Sequence, residues 1–319
     1  MDIRQASTFA AAPPASLVSK AKAEGGVLTW YESTPDSQVA SVMNAFEKKY
    51  PFAHVSHVKL AGAALASRVA QESQAGSTAD IATDDAASIQ TLTERAAVEG
   101  VDWGKLGIPR QLTPTRYGVV TAAVLYALLY NKNSVTGADI PKNWNDLLDP
   151  KWKGKLGAWV QPFAMAELVP AWGADKVSEF VRKFAAQRPM TYQDTFPLAQ
   201  GVGADEVSVA LGIYHSAQPA IASGAPIGVN IPDPAAVTLL YSFLPKKGKH
   251  PATAQLFINW LDSQEGATAY EQATYRGNPL LPGTKTGALV KGKKLSDFGP
   301  NEAAGLLKYL KQFATVLQH

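Results

Sequence analysis

Apolar positions along this chain change period in a regular order. Val27-Leu28-Thr29-Trp30-Tyr31 follows Gly25-Gly26 as a short β-prone run and ends in the polar turn Glu32-Ser33-Thr34-Pro35-Asp36. Val39, Val42, Met43 and Phe46 then fall at i, i+3, i+4 and i+7. That spacing predicts a helix capped by Asp36 or Ser37 and stopped at Tyr50-Pro51. Residues 54–60 form a second β-prone run, followed by Gly62 and helical spacing through Leu65 and Val69. Asp80-Ile81-Ala82-Thr83 is a third, ending in Asp84-Asp85. Strand–helix–strand–helix–strand predicts a parallel sheet. Such sheets bind ligands at the carboxyl ends of their strands, which aims Glu32-Ser33-Thr34 and Thr83-Asp84-Asp85 at one crevice.

A second segment begins near Tyr117. Residues 119–130 read as a strand long enough to cross from one lobe to another, followed by Asn131-Lys132-Asn133 and a Pro-bounded loop at Ile140-Pro141. Further α/β material runs from Lys155 to about Asn230, Pro232-Asp233-Pro234 marks a break, and residues 237–241 read as a second long strand. Amphipathic helices close the chain, one starting at His250-Pro251 and carrying Leu256, Phe257, Trp260 and Leu261. The expected plan is an α/β lobe, an inserted second α/β lobe and a helical return.

Composition narrows the class. A length of 319 residues fits two domains or one large one. With 46% hydrophobic and 18% charged residues, a natively unfolded chain is excluded. The absence of cysteine removes disulfide scaffolds, thiolate zinc sites, iron–sulfur clusters and cysteine nucleophiles, yet says little about compartment. The net charge of +3 is too small and dispersed for a nucleic-acid footprint. Lys246-Lys247-Gly248-Lys249 and Lys291-Gly292-Lys293-Lys294 read as solvated loop charge. The longest apolar stretch, residues 119–129, falls short of the roughly 20 residues a membrane span needs. Met1-Asp2-Ile3-Arg4 lacks the layout of a signal peptide. Two readings stay open: a cytosolic chain, or one whose leader was removed and Met1 added.

Catalytic motifs are sparse. Gly201-Val202-Gly203 lacks the third glycine and the preceding strand of a dinucleotide fingerprint, and Gly154-Lys155 is followed by Leu156 rather than Ser or Thr. No G-x-S-x-G elbow or H-E-x-x-H pair occurs. His54 and His57 fall on opposite strand faces and are expected as surface histidines. His319 reads as a tag remnant. What remains is a set of loop residues: Ser33, Asp85, Trp159, Tyr192, Tyr214, His215, Tyr275 and Arg276. They contain no nucleophile–base–orienter constellation, so binding is expected rather than an enzyme, with no cofactor.

Three blocks carry a resemblance. The run from Asn143-Trp144-Asn145-Asp146-Leu147-Leu148 through Asp149-Pro150-Lys151-Trp152-Lys153-Gly154-Lys155 resembles a signature of the type II periplasmic solute-binding proteins of ABC importers. It is most similar to the group holding ferric-ion, aminophosphonate, thiamine and polyamine binders. Tyr130-Asn131-Lys132 is similar to the strand end before that signature, and residues 250–266 to the group's late helix. The resemblance implies an α/β, two-lobed periplasmic-binding-protein type II fold with a ligand cleft between the lobes and two hinge crossings. The first lobe is expected over 1–117 plus 238–319, and the second, inserted, over 118–237. It also implies a periplasmic or extracellular monomer without its leader, delivering a small-molecule solute to a membrane ABC permease and, indirectly, its ATPase. Ligand binding would then shift an open–closed equilibrium by differential affinity. An enzyme or a receptor-sensing domain on the same fold is the alternative class.

The ferric pattern of that group carries over incompletely. Pro35 stands at the place of the group's His and cannot ligate, Asp85 replaces a Glu, and Tyr214-His215 replaces a tyrosine pair. Ferric iron favours anionic oxygen, so the set is weakened. The group's Ser-Gly anion cradle is here Gln161-Pro162-Phe163-Ala164. Trp159, Phe163, Tyr192 and Tyr214 are therefore expected as apolar walls, with Ser33, Thr34, Asp85, His215 and Arg276 as orienting groups. Arg276 suits a carboxylate or phosphonate, Asp84-Asp85 an amine. The expected ligand is a small charged organic solute, with a ferric site at Asp85, Tyr214 and His215 as the alternative.

Overall fold

The computed structural model describes residues 5–317, so residues 1–4, Gln318 and His319 lie outside the described residues. In chain order the first elements are α1 (Ala15–Ala23), β1 (Val27–Glu32), α2 (Asp36–Lys49), β2 (His54–Lys59), α3 (Gly62–Gln74), β3 (Ile81–Asp84) and α4 (Ala86–Glu94). After β4 (Val119–Asn131) come β5 (Leu156–Trp159), α5 (Phe163–Ala166), α6 (Val169–Trp172), α7 (Ala174–Ala186), β6 (Met190–Tyr192), α8 (Thr195–Gly203), β7 (Val209–Ile213), α9 (Tyr214–Ala222) and β8 (Ile227–Asn230). The chain returns through β9 (Ala235–Phe243), α10 (Pro251–Leu261), α11 (Gln264–Thr274), α12 (Lys285–Leu289), β10 (Leu295–Ser296) and α13 (Ala303–Leu317). No described helix is long and apolar enough to cross a membrane.

Two compact units result. The first comprises Met1–Ala123, Leu239–Ala288 and Gly299–Ala303. Its sheet runs β2-β1-β3-β9, with β1 parallel to β2 and β3 and β9 antiparallel to β3. Helix α2 buries Val39, Val42 and Phe46, one face of a 3.6-residue period. Phe46 meets Phe257 edge-on at 4.8 Å, and Phe257 meets Trp30 at 5.2 Å, so α2 and α10 share an aromatic core over β1. Asp36 is the first helical residue and not the cap; Pro35 holds that position without a side-chain bond. The Asp36 carboxylate reaches His57 instead.

The second unit comprises Val124–Thr238, Leu289–Phe298 and Ala304–His319. Strand β5 runs parallel to β6 and β7, while β4 is antiparallel to β7 and β8. The block at 143–155 folds as two 3-10 turns. A capping box between Asn143 and Asp146 starts the first, and the Asp149 carboxylate accepts the Lys151 N–H in the second. Trp144 is buried and donates its indole N–H to the Pro234 carbonyl at 2.9 Å, which anchors the turns beside the break at 232–234. Amphipathic α13 buries Leu306 and Phe313 in the core that holds Trp144, Phe180 and Phe184. The sequence expectation places 238–319 wholly with the first lobe. The structure instead divides that return, because α13 puts its apolar face into the second unit. The unit boundaries fall inside β4 and β9, at 123/124 and 238/239.

Candidate functional site

In the first unit, β1, β2 and β3 point the same way, and α2, α3 and α4 begin just past their carboxyl ends. Helix N-termini and their partial positive charge therefore collect on one rim. Glu32 closes β1 and is fully buried. Its carboxylate accepts the Thr34 N–H at 2.6 Å, the Thr34 hydroxyl at 2.8 Å, the Ser33 hydroxyl at 3.2 Å and the Tyr270 hydroxyl at 3.3 Å. Arg276 Nη1 lies 3.2 Å from Glu32 Oε1 and donates to Ser33 Oγ at 2.8 Å and Thr34 Oγ1 at 2.9 Å. A buried ion pair is stable only when hydrogen bonds replace lost hydration, and these hydroxyls do so. Tyr275 ends α11 in the left-handed region at φ 56°, a place usually given to glycine, and the turn delivers Arg276 to Glu32. The Tyr270 phenol is driven up by burial and by the Glu32 charge beside it.

Asp84 and Asp85 serve two helix starts. Asp84 ends β3 and accepts the Gly62 N–H at the start of α3 at 2.6 Å, the Ser88 hydroxyl at 2.7 Å and the Asp85 N–H at 3.0 Å. Burial, then the Asp85 charge, push its carboxyl up to about 7 despite those donors. Asp85 is the N-cap of α4, accepting the Ser88 N–H at 2.9 Å, and burial raises it too.

The second unit repeats the arrangement. Strands β5, β6 and β7 run toward α5, α8 and α9. Trp159 ends β5 and stacks on Phe163, the first residue of α5, with centroids 5.7 Å apart and planes 12° apart. Its indole N–H donates to the Gln193 carbonyl at 3.3 Å, which fixes the ring's direction. Tyr192, in register with Trp159, donates its hydroxyl to Glu206 at 3.2 Å, and burial raises that phenol. Tyr214 and His215 form the first turn of α9; Tyr214 is half-buried, while His215 is buried edge-on against Phe196 at 6.2 Å.

Ser33, Thr34 and Arg276 thus gather on Glu32, while Asp84 and Asp85 sit side by side on the same unit's rim. Trp159, Phe163, Tyr192, Tyr214 and His215 lie at strand ends of the second unit. Two residues outside the expected ligand contacts matter here, although the strand-end rule had aimed Glu32 at the crevice. Glu32 is the hub of the Arg276 cluster, and its signal was a charged residue ending an otherwise apolar strand. His57, expected at the surface, has a side chain only 2% exposed, because Asp36 covers one ring nitrogen and Trp30 packs edge-on at 5.7 Å. His54 does lie at the surface.

The backbone resembles iron-bound HitA from Pseudomonas aeruginosa, with a TM-score of 0.75, 20% identity, and coverage of 90% of this chain and 99% of that one. It resembles the substrate binding protein of an ABC transporter from Agrobacterium tumefaciens at 0.75 and 14%, covering 92% and 96%. AfuA from Actinobacillus pleuropneumoniae with bound fructose-6-phosphate matches at 0.69 and 18%, covering 91% and 99%. These likenesses establish the two-lobed fold. An uncharacterized protein of Haemophilus influenzae is 25% identical over 162 residues, 47% of this chain and 44% of that relative's length. Residues 85–303, running from the Asp85 cap through the second unit to the start of α13, match the bacterial extracellular solute-binding protein family, and the chain belongs to it.

Proposed function

We propose that this chain is the substrate-binding component of an ABC import system, acting outside the cytoplasm as a monomer and handing its cargo to a membrane permease. Its cargo is a small organic solute with an anionic group. The observation that carries this reading is the stacked Trp159–Phe163 pair at a strand-end rim. Parallel rings offer a flat apolar surface to carbon, which a bare metal ion does not use. Three features favour negative charge on the solute. Helix N-termini line the first unit's rim, Arg276 brings a guanidinium there, and Asp84 loses its charge near neutral pH. The AfuA relative with fructose-6-phosphate is a precedent for an organic anion on this fold.

Ferric iron is the second reading, favoured by adjacent Tyr214 and His215 at the start of α9 and by the iron-bound HitA relative. Asp85, the carboxylate of that set, already caps α4. Thermal-shift screening of sugar phosphates, carboxylates, phosphonates, amino acids, polyamines and ferric salts separates the two. A specific organic anion is expected to raise stability by about 2.7 kcal/mol at a hundredfold excess over its Kd. A visible tyrosinate–iron band lost in Tyr214→Phe, with no organic shift, would reverse the choice.

A further inference from the structure

Glu32 receives its donors unevenly. Oε1 takes the Ser33, Thr34 and Tyr270 hydroxyls together with Arg276 Nη1, whereas Oε2 takes the Thr34 N–H. The other approach to Oε2 is occupied by His57, whose Nε2 stands 3.9 Å away, buried and without a hydrogen-bond partner among the described residues. Nδ1 of the same ring is 2.7 Å from Asp36 Oδ1. A neutral imidazole that donates through Nδ1 turns a lone pair from Nε2 toward the carboxylate, so no bond closes that gap. An imidazolium donates from both nitrogens.

We propose that His57 is a positioning residue for solute capture: when protonated it bridges Asp36 and Glu32 and draws the Glu32 charge toward Oε2, leaving Arg276 less neutralised and better able to hold an anion. This rests on the reading of Arg276 as the contact for the solute's anionic group. A proton gained about 4 Å from a buried carboxylate is strongly felt, since little water screens it. Reciprocity follows: an anion held by Arg276 draws a proton onto His57, and acid strengthens anion binding.

The charged and titratable groups around the ring are known. Asp36 comes from α2 and Glu32 from β1, with Tyr270 of α11 and Arg276 reached through Glu32. Its own strand adds His54, which pairs with Glu47, and Lys59, in register with Glu32. The Asp84 carboxyl, pushed up to about 7, also changes charge, so variants of His57, and not a pH profile alone, assign the effect.

The Arg276 Nε–Hε resonance reports the coupling without any ligand. A step is expected on acidification as the ring takes up its second proton. It should vanish in His57→Gln and move to lower pH in Asp36→Asn, an exposed substitution that leaves the core intact. Sulfate, whose charge is constant across the pH values compared, serves as the anion probe. It should bind at least about threefold more tightly at pH 5.5 than at pH 8 in the parent, and by a clearly smaller ratio in His57→Gln, where Asp84 still changes charge. A flat Arg276 resonance in the parent, a step unchanged in both variants, or pH-independent sulfate affinity in the parent would each overturn the role of His57. Sulfate affinity unchanged in Arg276→Gln, with the His57-dependent step present in the parent, would instead overturn Arg276 as the anion contact, and the capture role with it.

Discussion

Trp159 and Phe163, four residues apart, lie nearly parallel because β5 ends at the first and α5 begins at the second. Pro162 between them lacks an N–H and sits just before the helix, so the turn presents rings where a donor-rich turn would present amides. If this shelf carries the organic part of the solute, Phe163→Ala and Trp159→Leu should each weaken binding about tenfold, or roughly 1.4 kcal/mol. Calorimetric titration with the solute found by screening measures this. Unchanged affinity in both variants would remove the shelf from the site.

Gly266 follows from a different constraint. Ser263 caps α11 by accepting the Gly266 N–H at 3.1 Å, and a Cβ at 266 would overlap the carbonyl of Trp260 and the Leu261 backbone. Backbone cannot swing aside as a side chain can. Gly266→Ala is therefore expected to cost about 1–3 kcal/mol and lower Tm by several degrees. Gly104→Ala, whose new methyl finds only an ordinary contact at 3.6 Å with Asp102, is the control and should change little. Equal melting of the two variants would contradict this packing.

Much of the frame was legible because it depends on local period. The helix at α2 and the long strands were readable from spacing alone, although β9 starts at Ala235, two residues before the apolar run suggested. The candidate site was less legible because its partners meet from afar. Arg276 and Glu32 are 244 positions apart, and nothing in either neighbourhood announces the pair. Period-2 alternation did place His54 and His57 on opposite faces, so one had to turn inward. Which one, and that Asp36 would greet it, depended on where α2 begins. Asp85 was noticed as a charge and is first of all a cap. The likeness at 143–155 was specific for the family because Asn143, Trp144, Asp146, Asp149 and Trp152 each close a hydrogen bond within the fold, and for the same reason it was silent about ligand.

Glu24 illustrates a contact that no window could show. Its carboxylate accepts the Ala252 N–H at 3.0 Å, the Thr253 N–H at 2.9 Å and the Thr253 hydroxyl at 3.1 Å, capping α10 from the end of α1. His250, the local N-cap residue, makes no cap bond of its own. Glu24→Ala should cost about 1–2 kcal/mol in urea unfolding. Glu24→Gln, which keeps one acceptor oxygen, should recover part of the loss. No difference between Glu24→Ala and the parent would mean that water caps α10 equally well.

Asp262, at the end of α10, gives a pH signature with a definite sign. Its side chain is fully buried; Oδ1 accepts from Asn278 Nδ2 at 3.2 Å, and Oδ2 has no hydrogen-bond partner among the described residues. Burial holds this carboxyl well above the usual range. The folded state therefore keeps a proton that the unfolded chain releases above about pH 3.9. The contribution of Asp262 to stability is complete below that pH and is lost as pH rises toward the folded value, by about 1.4 kcal/mol per unit. Asp262→Asn retains the shape and the acceptor for Asn278 but has nothing to ionise. Near pH 4 it should match the parent in urea unfolding, and by pH 6 it should exceed it by at least about 1.4 kcal/mol. Asp84 also titrates over part of this range but is present in both proteins, so it cancels in the difference. Parallel stability profiles from pH 4 to 7 would mean that Asp262 ionises in the folded protein as readily as in the unfolded one.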